Sequence, residues 1–231
     1  MDLRESRRDT PDSKPSPRED QFREETAYTD GFEIPSSCVS EDAHKNLGLV
    51  NCVIRPITQD DRCFLWEMLY QAIHVAAGAE PPSRDILLHP ELRRYLEDWG
   101  RPHDLGFVAV DSLMSASIGA AWLRLLIGAG KGYGYVDDAT PELTVAVVPE
   151  YRGQGIGTQL LSELLATARA HYKSVSLSVS PDNPALRLYR RLGFETVETC
   201  GTSLVMKCRL AHTNLKTVTP TESGAEVGIR S

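Results

Sequence analysis

"TVAVVPEYRGQGIGTQLL", residues 144–161, decides how the rest of this chain is read. An apolar run, Val145 to Val148, meets Pro149. Gly153, Gly155 and Gly157 then follow an arginine, and a leucine-rich stretch begins. The run before the proline predicts a strand over 142–148. After the glycines, Ile156, Leu160, Leu161, Leu164, Leu165 and Ala168 recur at helical spacing. A strand that passes through a glycine-rich turn into a helix is a device for holding phosphate. The first helical turn offers unpaired N–H groups and the positive end of the helix dipole, and glycine lets an anion approach the backbone.

Two versions of that device fail on spacing. The dinucleotide fingerprint G-x-G-x-x-G would start at Gly153, but Thr158 stands where its third glycine belongs. The phosphate loop G-x-x-x-x-G-K-[ST] would use Gly130-Lys131. Gly132 then replaces the Ser or Thr, and Leu125 the first glycine. What fits is Arg-x-x-Gly-x-Gly, Arg152 to Gly157. This resembles the acyl-CoA-binding motif of the GNAT superfamily of N-acetyltransferases. A second signature of that superfamily, "PDNPALRLYRRLGFE" (181–195), lies downstream of a strand-like segment, "KSVSLSVSP". The resemblance covers about 50–211 in element order and is strongest over 141–198.

The resemblance implies an α/β chain with a GNAT-type fold. That means a central mixed, mostly antiparallel sheet, flanking helices, and a splay between the fourth and fifth strands. It implies acetyl-CoA as acyl donor. The pyrophosphate would rest on the amides of Gly153, Gln154, Gly155, Ile156, Gly157 and Thr158, with Arg152 adding charge-assisted contacts. The pantetheine arm would enter the splay beside Val147 and Val148, where one N–H faces the thioester carbonyl as an oxyanion donor. Asn183 would hydrogen-bond the arm. Many members place that asparagine seven residues before the tyrosine, whereas Asn183 stands six before Tyr189 and Asp182 seven.

Acyl transfer from a thioester to an amine poses two proton problems. An alkylamine with a pKa near 10.4 arrives as a cation and must lose a proton before it attacks. The departing thiolate leaves more easily when protonated. Tyr189, matching the family's tyrosine, is the expected acid, and Glu142 at the head of the central strand is the expected base. Tyr133, Tyr135, Asp137 and Asp138 precede Glu142 in a glycine-rich loop and are candidates to line the amine pocket. His74 is a weaker candidate. The six histidines show no metal-ligand spacing, so no metal is expected.

The flanking sequence supplies the rest of the domain. "CVIRPIT" (52–58) reads as a strand, with Asp60 or Asp61 capping a helix through Phe64, Leu65, Met68, Leu69, Ala72 and Ile73. A second helix is expected between Pro82 and Gly100, with Ile86, Leu87, Leu92, Tyr95 and Leu96 inward. Strands are expected at 105–111 and 117–127. Val175, Leu177 and Val179 alternate with serines in a period of two, which predicts a strand. Asn183 as N-cap, Pro184 at the first helical position and Gly193 as stop mark a short helix over 183–193. Two late strands end the domain, which is expected to span 50–211.

Residues 1–49 carry four prolines, many charges and no apolar period, so a disordered extension is expected; 212–231 read as a flexible tail. The net charge of −7 sits mostly in the first 48 residues, where twelve acidic face seven basic residues. The remainder is near neutral with no basic stripe, which argues against a nucleic-acid partner. No apolar run approaches the roughly 18 residues of a membrane span, and the start lacks the apolar core of a secretory signal. Five irregularly spaced cysteines suggest a reducing, cytoplasmic setting.

The acceptor region, about 64–100 and 128–140, mixes aromatics (Trp66, Tyr70, Tyr95, Trp99, Tyr133, Tyr135) with acids (Glu67, Glu80, Asp85, Asp137, Asp138). That mixture leans toward a small cationic amine. A protein N-terminus or lysine is the alternative acceptor, and a non-catalytic acetyl-CoA-binding regulatory module is the alternative class. The exposed edges of a splayed sheet make a homodimer an expectation.

Overall fold

The computed structural model describes residues 51–210; the expected extension 1–49 and the tail 212–231 lie outside the described residues. Seven strands form one sheet: β1 (Cys52–Pro56), β2 (Leu105–Asp111), β3 (Ser117–Arg124), β4 (Glu142–Val147), β5 (Ser174–Val179), β6 (Phe194–Cys200) and β7 (Ser203–Arg209). Their order is β1-β2-β3-β4-β5-β7-β6. Neighbours are antiparallel except β4 and β5, which run parallel. The helices are α1 (Arg62–Ala72), α2 (Pro90–Arg93), α3 (Ile156–Ala168) and α4 (Leu186–Arg191). The mixed, mostly antiparallel sheet with flanking helices is the architecture expected.

Strand alternation divides the core between the two faces. Ala121, Leu123, Leu143, Val175 and Leu177 meet α3, whose Ile156, Leu160, Leu161, Leu164, Leu165 and Ala168 are all buried. On the other face, Val108, Ala120, Trp122, Ala146 and Val148 meet Leu65, Met68 and Leu69 of α1 and Leu87, Tyr95 and Leu96 of the chain after it. The glycine turn therefore links a strand buried on both faces to the helix that covers one of them. Gly193, at φ 89°, ends α4 as its sequence position predicts.

Four local readings are corrected. The helix expected between Pro82 and Gly100 is a 3₁₀ turn, Arg84–Leu88, an extended His89 (φ −65°, ψ 131°) and the four-residue α2. Pro90 is the cause, because its ring disfavours a helical residue before it. Asp61 does not cap α1 with its side chain. Its carboxylate is instead gripped by Arg55 through both oxygens (2.7 Å each) and takes the Thr58 N–H at 2.7 Å. The strand expected over 52–58 ends at Pro56. The one expected over 117–127 ends at Arg124.

Arg124 is a fully buried guanidinium with all five donors used. Nε and Nη2 fork onto Asp104, Nη1 serves the carbonyls of Arg94 and Glu97, and Nη2 that of Asp98. A buried charge left unpaired would be strongly destabilising, so the backbone from Arg94 to Asp98 is held tightly. That segment carries Tyr95.

Candidate active site

Between β4 and α3 the chain makes a short turn, Pro149–Tyr151, and then Gly153 and Gly155 adopt φ of 76° and 85°. That left-handed region costs an L-residue about 1–2 kcal/mol. α3 starts at Ile156 with Gly155 at its N-cap and no side chain capping it. The amides from Gly153 to Gly157 have no acceptor among the described residues, while Thr158 N–H already serves Gly155 O. A Cβ on Gly153 or Gly155 would meet nothing within 4 Å, so these amides border open space. Ile156 is buried and contributes only its backbone to that border.

Beside the turn the sheet opens. β4 and β5 share a single register pair, Glu142↔Ser176, with Ser176 N–H donating to Pro141 O at 3.0 Å. Val148 N–H donates to Ile118 O of β3 at 2.9 Å. By strand alternation, Val145 and Val147 turn their amides the other way, toward the gap. Val148 is therefore turned away: its amide is spent on β3 and its side chain packs under α1. Arg152 is also placed differently from expectation. Its Nε donates to Val147 O at 2.9 Å and its Nη2 to Gln71 Oε1 at 3.0 Å, so the guanidinium points back toward α1.

A splayed parallel pair ending in a turn of unpaired amides is what the two sequence signatures demand, and a profile of the Acetyltransferase (GNAT) family matches residues 66–194. This chain belongs to the GNAT family. Over 55 residues, 23% of the chain, it is 51% identical to N-alpha-acetyltransferase RimI of Mycobacterium tuberculosis (strain ATCC 25618 / H37Rv); the match covers 34% of that protein. Over 55 residues it is 47% identical to Uncharacterized protein ML0378 of Mycobacterium leprae (strain TN), covering 15% of it. The chain thus spans about a third or less of these curated relatives. The fold is shared with the paia N-acetyltransferase from Thermoplasma acidophilum, solved in complex with coenzyme A. There the TM-score is 0.53 at 19% identity, over 69% of this chain and 99% of that one. An N-acetyltransferase from Staphylococcus aureus Mu50 gives 0.51 at 20% identity, over 70% and 99%.

Within this GNAT fold, α4 packs Tyr189 into the core on the α3 face of the sheet. A Cβ on Gly157 would lie 3.7 Å from Leu188 and 3.9 Å from Val147, so α4, the turn and the end of β4 converge. The Tyr189 ring meets Phe194 edge-on at 5.9 Å. Burial alone pushes its hydroxyl up to about 12, so it stays protonated at neutral pH. The helix expected to start at Pro184 with Asn183 as its cap starts instead at Leu186, with Ala185 at the N-cap, because Asn183 Oδ1 accepts the Ala185 N–H at 2.8 Å and ties residues 183–185 into a turn before α4.

Glu142 is only 2% exposed. Its Oε1 accepts Gly132 N–H at 3.0 Å; its Oε2 accepts Gly134 N–H at 2.7 Å and Tyr95 O–H at 2.9 Å. Tyr95 oxygen in turn accepts Tyr133 N–H at 2.8 Å. Burial raises the Glu142 carboxyl above its ordinary range, against the lowering pull of those donors and of Arg94. Both glycines are sterically required. A Cβ on Gly132 would fall 2.5 Å from Glu142 Oε1, and one on Gly134 would fall 2.7 Å from the Leu177 carbonyl carbon. Residues 131–135 thus form a strap across the β4–β5 seam, from above Glu142 to above Leu177.

The expected acceptor residues are mostly partnered within the fold. Tyr70 O–H donates to Pro82 O, and Glu67 binds Arg84 and Gln71. Tyr133 O–H donates to Glu91 at 2.6 Å, Tyr135 O–H to Asp138 at 2.8 Å, and Lys207 pairs with Asp137 at 2.9 Å. His74 Nε2 lies 3.0 Å from Asp182 Oδ1, at ion-pair distance but without hydrogen-bond alignment. A cavity of about 220 Å³ lies between Glu67, Gln71 and Arg84 on one side and Val148–Glu150 on the other. Among the described residues no cluster of His, Cys, Asp and Glu could hold a metal ion, and no helix is long and apolar enough to cross a membrane.

The sequence does not show the strap's purpose or the tie between Arg152 and Gln71. The repeated glycines of "GKGYG" were the only local sign that something presses on that loop.

Proposed function

We propose that this protein is an acetyl-CoA-dependent N-acetyltransferase, carried by residues 50–211, that moves an acetyl group directly to a primary amine of a small molecule. The observation that carries this reading is the β4–β5 opening, lined by backbone amides and ending at the unpaired amides of Gly153–Gly157. A pyrophosphate fits such a helix start without any side-chain charge. The pantetheine arm then pairs with β4 through Val145 and Val147 as a missing strand would. Asn183 is left with its amide nitrogen to offer to the arm.

Val147 and Glu142 stand at opposite ends of β4, about 16 Å apart at the usual strand rise. In this reading Val147 therefore holds the arm, while the thioester lies deeper, toward Glu142. Tyr189 gives the departing sulfur a proton, and Glu142 is the base that receives the amine proton. Burial raises the Glu142 carboxyl above its ordinary range, the direction that makes a carboxylate a stronger base.

A second reading places a protein N-terminus in the acceptor site. It is favoured by the local identity to a protein named an N-alpha-acetyltransferase. The test is free-thiol release from acetyl-CoA with a panel of small amines and N-terminal peptides. Turnover of small amines supports the first reading and turnover of peptides alone the second. Tight coenzyme binding without thiol release from any acceptor would make the protein a regulatory module and refute both.

A further inference from the structure

At the mouth of the β4–β5 opening, one group that should receive the coenzyme arm is already taken. A strand residue turns its N–H and its carbonyl to the same side, so Val145 and Val147 present both to the gap. β5 pairs with β4 only at Glu142↔Ser176, which leaves Val145 open. Val147 is half closed. Its carbonyl accepts Arg152 Nε at 2.9 Å, and Arg152 Nη2 donates to Gln71 Oε1 at 3.0 Å. Gln71 is itself aimed, since its Nε2 donates to Glu67 Oε1 at 3.0 Å and Glu67 is held by Arg84. The guanidinium therefore caps the β4 edge where a paired strand would otherwise continue.

Val147 and a bound diphosphate compete for this side chain. Arg152 adjoins Gly153, where the turn's unpaired amides begin. A guanidinium grips phosphate with two neighbouring nitrogens, and every such pair includes Nε or Nη2, both engaged in the free protein. Gripping a diphosphate therefore releases Val147 O to the arm. Magnitudes favour the exchange. Two neutral hydrogen bonds are given up, about fivefold each in affinity, for two charge-assisted ones worth about 10²-fold together. The balance is about fivefold toward coenzyme A. A pantetheine without diphosphate offers Arg152 nothing in exchange and forfeits the Val147 bond, about fivefold.

We propose that Arg152 is a specificity-determining residue that keeps the Val147 carbonyl closed to bare pantetheine thioesters and opens it to coenzyme A. The inference rests on the acetyltransferase reading, in which the arm pairs with β4 as a missing strand. It gives the inward turn of Arg152 a use. The free protein guards the arm's path, and a diphosphate seated on the turn unlocks it. Arg152 thus separates the two ligands by about 25-fold.

The test titrates the full chain with coenzyme A and with pantetheine, followed by backbone amide NMR, and needs no amine acceptor. Arg152→Met changes an exposed side chain and leaves the urea midpoint in place. It raises affinity for pantetheine about fivefold and lowers affinity for coenzyme A about fivefold. Loss of fold would lower both, so the opposite signs are the signature. Gln71→Leu removes one tie and leaves the charge, and it raises both affinities. If Arg152→Met moves the two affinities in the same direction, or moves neither, the lock is overturned and the thiol-release assay still decides the acetyltransferase reading. A folded wild-type protein that binds no coenzyme A overturns both.

Discussion

Gly134→Ala probes the strap with one methyl group. The added Cβ would lie 2.7 Å from the Leu177 carbonyl carbon and 2.9 Å from both Leu177 Cα and Ser178 N. Carbon atoms sit comfortably at about 3.5–4.0 Å, and these are backbone atoms of a central strand that cannot swing aside. The strap must therefore lift by about 1 Å. That lengthens the 2.7 Å bond from Gly134 N–H to Glu142 Oε2 past useful range. Keeping the bond means carrying the clash, about 1–3 kcal/mol; releasing it loses a hydrogen bond to a charged group, about 1.5–3 kcal/mol. These are alternatives, so the cost is about 2 kcal/mol. With a urea slope of about 2 kcal/mol/M, the midpoint drops by about 1 M. Gly130→Ala is the control, since a Cβ there meets nothing within 4 Å and no positive φ is involved. Urea melts followed by tryptophan fluorescence decide the matter. If both variants unfold at the wild-type midpoint, the strap is not packed as described.

Other outcomes follow from the same geometry. Tyr189→Phe keeps the fold and the coenzyme affinity and lowers kcat by about 10²-fold, read by thiol release and coenzyme titration. Gly155→Ala meets no clash but forces an L-residue to φ 85°. It costs about 1–2 kcal/mol in urea melts and weakens coenzyme binding more than Gly130→Ala does. The folded-state carboxyl of Glu142 titrates above its unfolded value because burial outweighs its donors. Its contribution to stability is therefore whole below the ordinary glutamate range and declines as pH rises through the folded value. Asp137, held low by Lys207, has the opposite sign: its contribution is lost as pH falls through its folded value. Urea midpoints across the acidic to neutral range should show both slopes, and Lys207→Met should flatten only the acidic one.

Where a segment is fixed by its own pattern, the sequence is a sufficient guide. The six buried residues of α3, the period of β5 and the Gly193 stop were all legible. The glycine turn was legible because left-handed backbone leaves a mark in residue type. In the broken helix before Gly100 the apolar spacing is overridden by Pro90, whose effect on His89 is local. The serines of β5 mark a strand but not their environment, because the strap that lies over Leu177 and Ser178 comes from about forty residues upstream. Glu142 could be picked as a carboxylate at a strand head. That it anchors Gly132, Gly134 and Tyr95 could not, since those contacts depend on how the chain closes on itself. The same holds for Arg152, whose inward turn depends on Gln71 of α1. Arg124 is legible in kind though not in partner: an arginine inside "AAWLRLLI" must find a buried counter-charge, and only the folded chain brings Asp104 to it.

The central claim is that the amides from Gly153 to Gly157 hold the coenzyme's diphosphate and the β4 edge holds its arm. Backbone amide NMR during titration with coenzyme A tests it residue by residue. The account predicts saturable shifts at Gly153, Gly155 and Gly157, and with them at Val145 and Val147. Amides that stay in place in the folded protein at saturating coenzyme would contradict it.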